Sequence, residues 1–142
     1  MKIVSWNCNG AFRKKFQFIS QEEAKIDPTF ECFSQNHLWI GGNKNKGLGV
    51  FIKKGISIKK IDFSYTYKEL NLKWFIPFEV NNNQQVIAVW SHEGDSDGYR
   101  YIGQFWCFLQ INKQLFKNPI ILGDFNSNAI WDYKRSECTH TN

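Results

Sequence analysis

The sequence lacks the long apolar runs and leader patterns that mark membrane and secreted proteins. Its apolar runs, such as residues 86–90 and 120–122, fall far short of the roughly 20 residues that a membrane-spanning helix needs. The amino-terminal residues lack the apolar stretch and small-residue cleavage site of a secretory signal. These absences argue against a transmembrane protein and predict a cytoplasmic one.

Cysteine is also scarce, and its spacing argues against two common uses. The four cysteines, Cys8, Cys32, Cys107 and Cys138, form no Cys-x-x-Cys pair of the kind found in zinc and redox sites. They are too few for a disulfide scaffold in a chain of 142 residues. We therefore expect reduced, mostly buried thiols.

Aromatic and basic residues, by contrast, are plentiful. The chain has 13 Phe, 6 Trp and 5 Tyr, and its hydrophobic share of 42% suits a packed core. Residues 1–142 amount to a single domain, since no repeat, low-complexity tract or linker divides them. The net charge of +5 suits a phosphate-bearing partner such as nucleic acid, although many basic proteins bind none.

The spacing of apolar residues predicts an α+β layered domain. Strand-like patterns lie at residues 1–6, 37–40, 48–53, 56–63, 74–80, 86–90 and 120–122, and helical spacing lies at residues 12–24 and 101–116. The glycine-rich segment 41–47 predicts a hairpin turn, and the asparagines at 81–83 predict a second turn. Short turns favour antiparallel neighbours, with the two helices flanking the sheet.

The segment that follows the last predicted strand is the most informative. The strand runs directly into Gly123, which permits a sharp turn, and then into Asp124, Asn126 and Asn128. A carboxylate and two carboxamides therefore emerge at a strand end, where a ligand can be met. The alternative is an Asx-rich turn whose side chains only satisfy neighbouring backbone groups.

Three stretches resemble the exonuclease/endonuclease/phosphatase family, the deoxyribonuclease-I-like enzymes that cleave phosphate esters with a divalent metal. Residues 2–10 are similar to the family's opening strand and asparagine, residues 46–51 to its hairpin strand, and residues 120–128 to its Gly-Asp-x-Asn signature. Trp131 and Asp132 resemble a bacterial branch of the family. The resemblance implies a layered β-sandwich with flanking helices that is incomplete at its C-terminus.

The resemblance also implies site residues, position by position. Asn7 would orient the metal-binding carboxylate and the scissile phosphate, and would join Glu31 at the metal. Asp124 would align or deprotonate the attacking water, and Asn126 would hydrogen-bond the phosphate oxygens as charge develops on them. Mg²⁺ or Mn²⁺ suits such hard oxygen ligands. The implied function is a metal-dependent phosphodiester hydrolase (nuclease) that binds DNA or another nucleic acid.

The chain departs from the family pattern in several places. The Gln-Glu pair that supplies a metal ligand is reduced to Glu31, for which a solvated surface carboxylate is the alternative. Trp90 and Ser91 stand where nucleases of the family present a tyrosine; Trp can stack on a base but lacks the phenolic donor. The terminal Asp-His pair is missing, and His140 lies too early to replace it.

These departures leave a second hypothesis open. A shortened, catalytically silent member would bind nucleic acid, or a protein partner that covers exposed sheet surface. Salt-sensitive binding without cleavage would indicate this silent member, because phosphate contacts weaken steeply with salt. A purely structural fragment would show neither binding nor cleavage.

Other patterns invite site hypotheses that have simpler alternatives. His92 precedes an acidic segment at 93–97, which fits a solvated loop better than a metal site because no ligand spacing supports one. Residues 41–47 lack the ending of a P-loop, although Lys44 and Lys46 could contact a nucleic-acid backbone. The basic residues 13–15 fit a solvated helix face better than a phosphate site.

Overall fold

The computed structural model describes residues 1–7, 15, 33–43, 46–92 and 99–126. This part of the chain has a mixed α+β fold that is mostly sheet, so the predicted α+β class is confirmed at that level. The strands are β1 (Phe33–Asn43), β2 (Lys46–Lys53), β3 (Ile58–Lys60), β4 (Thr66–Tyr67), β5 (Leu70–Asn71), β6 (Phe75–Val80), β7 (Gln84–Trp90) and β8 (Ile120–Asp124); helix α1 (Ile102–Asn112) continues into a 3₁₀ turn (Lys113–Leu115). None of these segments forms a helix long and apolar enough to cross a membrane.

A four-stranded sheet in the order β3-β6-β7-β8 lies at the centre of the fold. β6 pairs antiparallel with β3 and with β7. The turn between β6 and β7 places Asn81 and Asn82 at positive φ, a conformation that asparagine tolerates better than most residues. β8 runs parallel to β7, and the connection between them contains α1. The carboxyl ends of β7 and β8 therefore meet at the same end of the sheet.

The antiparallel hairpin of β1 and β2 packs on one face of this sheet, which we term the hairpin face. Alternate residues of the hairpin contact the side chains that β6 and β7 present to it. The contacting residues are Leu38, Ile40, Leu48 and Val50 from the hairpin, and Ile76, Phe78, Val80, Val86 and Ala88 from the sheet. Apolar burial, and not a shared ladder, joins the hairpin to the sheet.

Helix α1 packs on the opposite face, which we term the helix face. Phe108 of α1 is fully buried, with its ring centroid 4.6 Å from that of Phe75 in β6. Asn112 is also fully buried; its carboxamide accepts the Ser64 backbone N–H at 2.8 Å and donates to the Ser64 carbonyl at 2.7 Å. These two bonds satisfy the polar side chain, which would otherwise be costly to bury. The helix face is therefore a closed, largely aromatic core.

Cys107 belongs to the helix-face core and is fully buried as a free thiol. Burial raises the pKa of this thiol above its ordinary value, and the opposing charge of Lys68 does not cancel that effect. The thiol is therefore protonated at neutral pH and serves as an apolar packing group. The predicted reduced, buried state is confirmed for Cys107; Cys8, Cys32 and Cys138 lie outside the described residues.

Most predicted elements inside the described ranges are confirmed, with shifted ends: the hairpin strands, the strands at 74–80, 86–90 and 120–122, and the helix at 101–116. The strand at 56–63 is reduced to Ile58–Lys60. The turn expected over 41–47 is wrong in extent, because the pairs Gly41–Gly47 and Asn43–Lys46 continue the ladder through it. The helix at 12–24 lies outside the described residues apart from Lys15, which is helical.

The predicted strand at residues 1–6 is wrong. Residues 1–7 belong to no strand, and Met1, Ile3, Val4 and Trp6 are between 40% and 72% exposed. β-Prone side chains favour a strand mainly where they pack against cross-strand neighbours and a buried surface. In the described part of the structure, this segment has neither.

Candidate active site

The carboxyl ends of β7 and β8 place candidate residues side by side. Trp90, the last residue of β7, is the register partner of Asp124, the last residue of β8. Ser91 then donates its backbone N–H to the Asp124 carbonyl at 2.7 Å, which extends the pairing by one hydrogen bond. Because paired residues of neighbouring strands point to the same side of a sheet, Trp90 and Asp124 share one face.

The face that Trp90 and Asp124 share is the hairpin face. Ala88 of β7 and Leu122 of β8 both contact the core on that side. Side chains alternate along a strand, so Trp90 and Asp124, each two residues further on, return to the same side. Lys46 of β2 agrees with this placement, since its Nζ lies over the Trp90 ring, 5.6 Å from the centroid.

Gly123 determines how closely β8 approaches β7 beside the site. Its φ is +142°, a conformation that side-chain-bearing residues rarely adopt. A Cβ at this position would lie 1.9 Å from the backbone oxygen of Val89. Only glycine permits this close approach, which sets the backbone position of Asp124. The sequence predicted a sharp turn at Gly123. In the structure, Gly123 instead permits a close contact between two strands.

The Asp124 carboxylate accepts a hydrogen bond on each oxygen. The Asn7 Nδ2 donates to Oδ2 at 2.8 Å, and the Asn126 backbone N–H donates to Oδ1 at 3.2 Å. The second bond is the local Asx turn that the sequence offered as the simpler alternative. The first joins residues 117 positions apart. The structure therefore brings together Asn7 and Asp124, two of the predicted site residues.

Asn126 lies beside Asp124, and its side chain hydrogen-bonds to a backbone carbonyl. Its Nδ2 donates to the Ser91 carbonyl at 2.9 Å, and its φ is +45°, within the left-handed region that asparagine tolerates. This bond connects the segment after β8 to the segment after β7. An amide group has two N–H donors, so one donor of Asn126 remains for another acceptor.

The donor chemistry of the site fits a hard divalent cation. Asp124 and Asn7 supply carboxylate and carboxamide oxygens, which Mg²⁺ and Mn²⁺ prefer over nitrogen or sulfur. Glu31, the other predicted ligand, lies outside the described residues, as do Trp131, Asp132 and His140. Within the described ranges, no group of three or more His, Cys, Asp and Glu side chains could hold a metal by itself.

Aromatic residues form a compact group beside Asp124, which we term the site cluster: Trp74, Trp90, His92 and the overlying Lys46. The Trp74 and Trp90 ring centroids are 4.8 Å apart, and His92 lies 5.4 Å from Trp74 and 4.7 Å from Trp90. The His92 carbonyl accepts the side-chain N–H of Gln104 and the backbone N–H of Tyr101, both at 3.1 Å. Ring contacts and backbone bonds thus fix the cluster in place.

Sequence reasoning missed Trp74 and the structural part that Ser91 plays. Trp74 directly precedes β6, and its carbonyl accepts the Trp90 N–H at 3.0 Å. Strand alternation on β6 and β7, once the hairpin turn is placed, would have put both indoles on one side. Ser91 is fully buried and supports the site through its backbone N–H and carbonyl; its hydroxyl has no hydrogen-bond partner in the described structure.

Comparison of the chain with protein-family models, with curated proteins and with solved structures gave no match.

Proposed function

We propose that the chain is a metal-dependent phosphodiester hydrolase of the exonuclease/endonuclease/phosphatase type that acts on nucleic acid. The observation that carries this proposal is the hydrogen bond from Asn7 to Asp124. The segment after the last strand pointed to Asp124 and the resemblance pointed to Asn7, and these two residues, 117 positions apart, meet at 2.8 Å. A purely local Asx turn explains the contact with Asn126 but gives no reason for the contact with Asn7.

Asp124 would act as the base that aligns or deprotonates the attacking water. A carboxylate has about four acceptor sites, and the two hydrogen bonds from Asn7 and Asn126 leave room for a water donor. The Asn7 contact fixes the orientation of the carboxylate, which matters because a base must lie within hydrogen-bond reach of its proton. The remaining N–H of Asn126 would bind a phosphate oxygen as negative charge develops there.

The proposal includes a divalent cation, Mg²⁺ or Mn²⁺, held by Asn7 and Glu31. When bound, such a cation offsets the charge of the phosphate group. The net charge of +5 favours a polyanionic substrate in the same way, at longer range.

The proposal also includes the finer fold, a layered β-sandwich of this family type with flanking helices. Two features support it. A hairpin layer packs on the sheet opposite the helix, and the candidate base is the last residue of a strand that runs parallel to its neighbour. Ligands commonly bind beyond the carboxyl ends of parallel strands, which is where Asp124 lies.

The test is cleavage of single-stranded DNA, double-stranded DNA and a generic phosphodiester by purified protein, with Mg²⁺ or Mn²⁺ and then with chelator. We expect cleavage that requires the metal and that Asp124→Asn lowers by about 100-fold or more, the usual contribution of a general base. Asp62→Asn is the matched control, because Asp62 is an exposed carboxylate outside the site. It should cleave like the wild type.

Cleavage that survives in a folded Asp124→Asn protein would overturn the assignment of the base. A folded wild type that binds nucleic acid and cleaves none of these substrates would favour a second candidate function, a silent binding protein. Ile120 and Ile121 of β8 favour that candidate, since they are 36% and 40% exposed and offer an apolar surface to a partner.

A further inference from the structure

We infer that the site cluster stacks on one base of a single-stranded nucleic acid whose phosphate lies at Asp124. The phosphate position rests on the proposed function, whereas the base position rests on the cluster's own geometry. Trp90 and Asp124 are register partners on neighbouring strands, which lie about 4.8 Å apart in a sheet. A phosphate at Asp124 and a base at Trp90 would therefore belong to the same or adjacent nucleotides.

The rings of the site cluster support one another through direct contacts. Trp90 meets Trp74 at an interplanar angle of 62° and His92 at 77°, so these contacts are edge-to-face. Edge-to-face packing is favourable and fixes ring orientation. All three rings remain partly exposed. A rigid, partly exposed aromatic surface loses little conformational entropy when a base stacks on it.

Lys46 covers a ring face that a base could take. Its ammonium lies 5.6 Å from the Trp90 centroid, its side chain is exposed, and no carboxylate pairs with it in the described structure. A lysine holds such a position through a cation–π contact worth little at an exposed site. A flexible side chain of this kind can yield the ring to a base and turn its charge to the neighbouring phosphate.

The proposed contact requires an unpaired base. In a duplex, each base is covered above and below by its neighbours, so a protein ring can stack only after the base is displaced, which costs a few kcal/mol. Single strands offer open base faces, and stacking on aromatic side chains depends little on sequence. We therefore expect preference for single strands over duplexes, and little preference among base sequences.

The experiment measures binding without turnover, in chelator and at low salt. Fluorescence anisotropy reports the affinity for a labelled oligothymidine of about ten nucleotides, within the usual range of single-strand site sizes. An abasic oligonucleotide of the same length keeps the phosphates and removes the bases, and a duplex of the same length pairs them. We expect wild-type protein to bind the oligothymidine more tightly than either.

Variants locate the base contact. Trp90→Leu should weaken oligothymidine binding about 5-fold to 150-fold, the range for one stacked base, and leave abasic binding unchanged. Trp90→Phe retains a ring and should recover most of the affinity. Trp106→Leu is the control, because Trp106 is 50% exposed on α1, on the other side of the sheet. Lys46→Gln should weaken both ligands and reduce the salt dependence of binding.

Equal affinity of wild-type protein for the oligothymidine and the abasic strand would overturn the inference, even if Trp90→Leu fails to fold. An equal loss in Trp106→Leu would overturn it as well. The binding assay in chelator and the cleavage assay with metal separate this inference from the proposed function. Base-dependent binding without any cleavage by the wild type would end the hydrolase proposal alone. Cleavage without base dependence would end only the stacking inference.

Discussion

The two faces of the central sheet each carry an aromatic group with a lysine over one ring. On the hairpin face, the site cluster places Lys46 5.6 Å from the Trp90 centroid. On the helix face, Lys68 lies 5.5 Å from the Tyr67 centroid, within a group that also contains Tyr99 and Trp106. Only the first group stands beside Asp124. Aromatic content and a nearby cation therefore do not distinguish the two groups; position at the carboxyl end of the parallel strands is the reason for proposing a site at the first one.

The faces also differ in the polar groups that they bury. On the helix face, Asn112 is fully buried, and its carboxamide is hydrogen-bonded to the Ser64 backbone. On the hairpin face, the Asp124 carboxylate is only partly buried, and Asn7, which donates to it, is exposed. A buried, satisfied amide serves stability, whereas a partly exposed carboxylate keeps acceptor sites for a ligand. We therefore expect helix-face substitutions to affect unfolding and hairpin-face substitutions near Asp124 to affect chemistry.

The largest expected effect tests the stabilising part of this comparison. Phe108→Ala should lower the free energy of unfolding by about 3–5 kcal/mol, since a fully buried phenylalanine leaves a cavity. Urea denaturation followed by circular dichroism measures the change. Trp106→Ala, two positions earlier on the same helix but 50% exposed, is the control and should cost much less. Similar losses in the two variants would show that the helix face is not a tightly packed core.

Gly123→Ala should have the next largest effect, a loss of about 3 kcal/mol in the free energy of unfolding. This substitution should affect both stability and the candidate site. The added Cβ would meet the Val89 backbone at 1.9 Å, and φ of +142° is itself strained for alanine. Asp124 follows directly, so any cleavage activity should fall along with stability. Chemical denaturation measures the first change and the cleavage assay the second.

Gly103→Ala is the matched control for that prediction. Gly103 lies in α1, where an added Cβ would meet only the Tyr99 Cβ, at 3.9 Å. Alanine is favoured over glycine in a helix by roughly 0.5–1 kcal/mol, so this variant should be neutral or slightly more stable than the wild type. If Gly123→Ala were equally harmless, the close approach of β8 to β7 would not be what positions Asp124.

Local pattern was sufficient to predict the parts of the fold whose apolar residues form short runs or recur at helical spacing. β6, β7 and β8 were found because their apolar residues and bounding turns are adjacent in sequence, and α1 because its apolar residues recur at helical spacing. Residues 1–6 show where this reasoning fails. Their β-prone composition is real, but strand formation depends on a neighbouring strand and a buried face, which composition does not encode.

The site was predictable in part for the same reason. Gly123, Asp124 and Asn126 lie within four positions, so one motif reveals them together. Asn7 came from the family resemblance, and the carboxamide contact that joins it to Asp124 spans the chain. Trp74 was missed, because only the pairing of β6 with β7 brings it to Trp90. The register of the β6–β7 hairpin, which apolar patterning alone does not state, accounts for what was not found.

Asn7→Ala has the smallest expected effect on stability, and it best distinguishes a residue that serves stability from one that serves chemistry. Asn7→Ala removes an exposed hydrogen bond to Asp124, and such a bond contributes about 1 kcal/mol to folding. Under the proposed function, the same change frees the carboxylate to rotate and should lower kcat by about 10-fold or more, because a misplaced base transfers protons poorly. Asn71→Ala, at an exposed asparagine of β5, is the control and should change neither quantity. A fall in stability without a fall in kcat would make Asn7 a structural residue, and the hairpin-face site would then differ from the helix-face core in exposure alone.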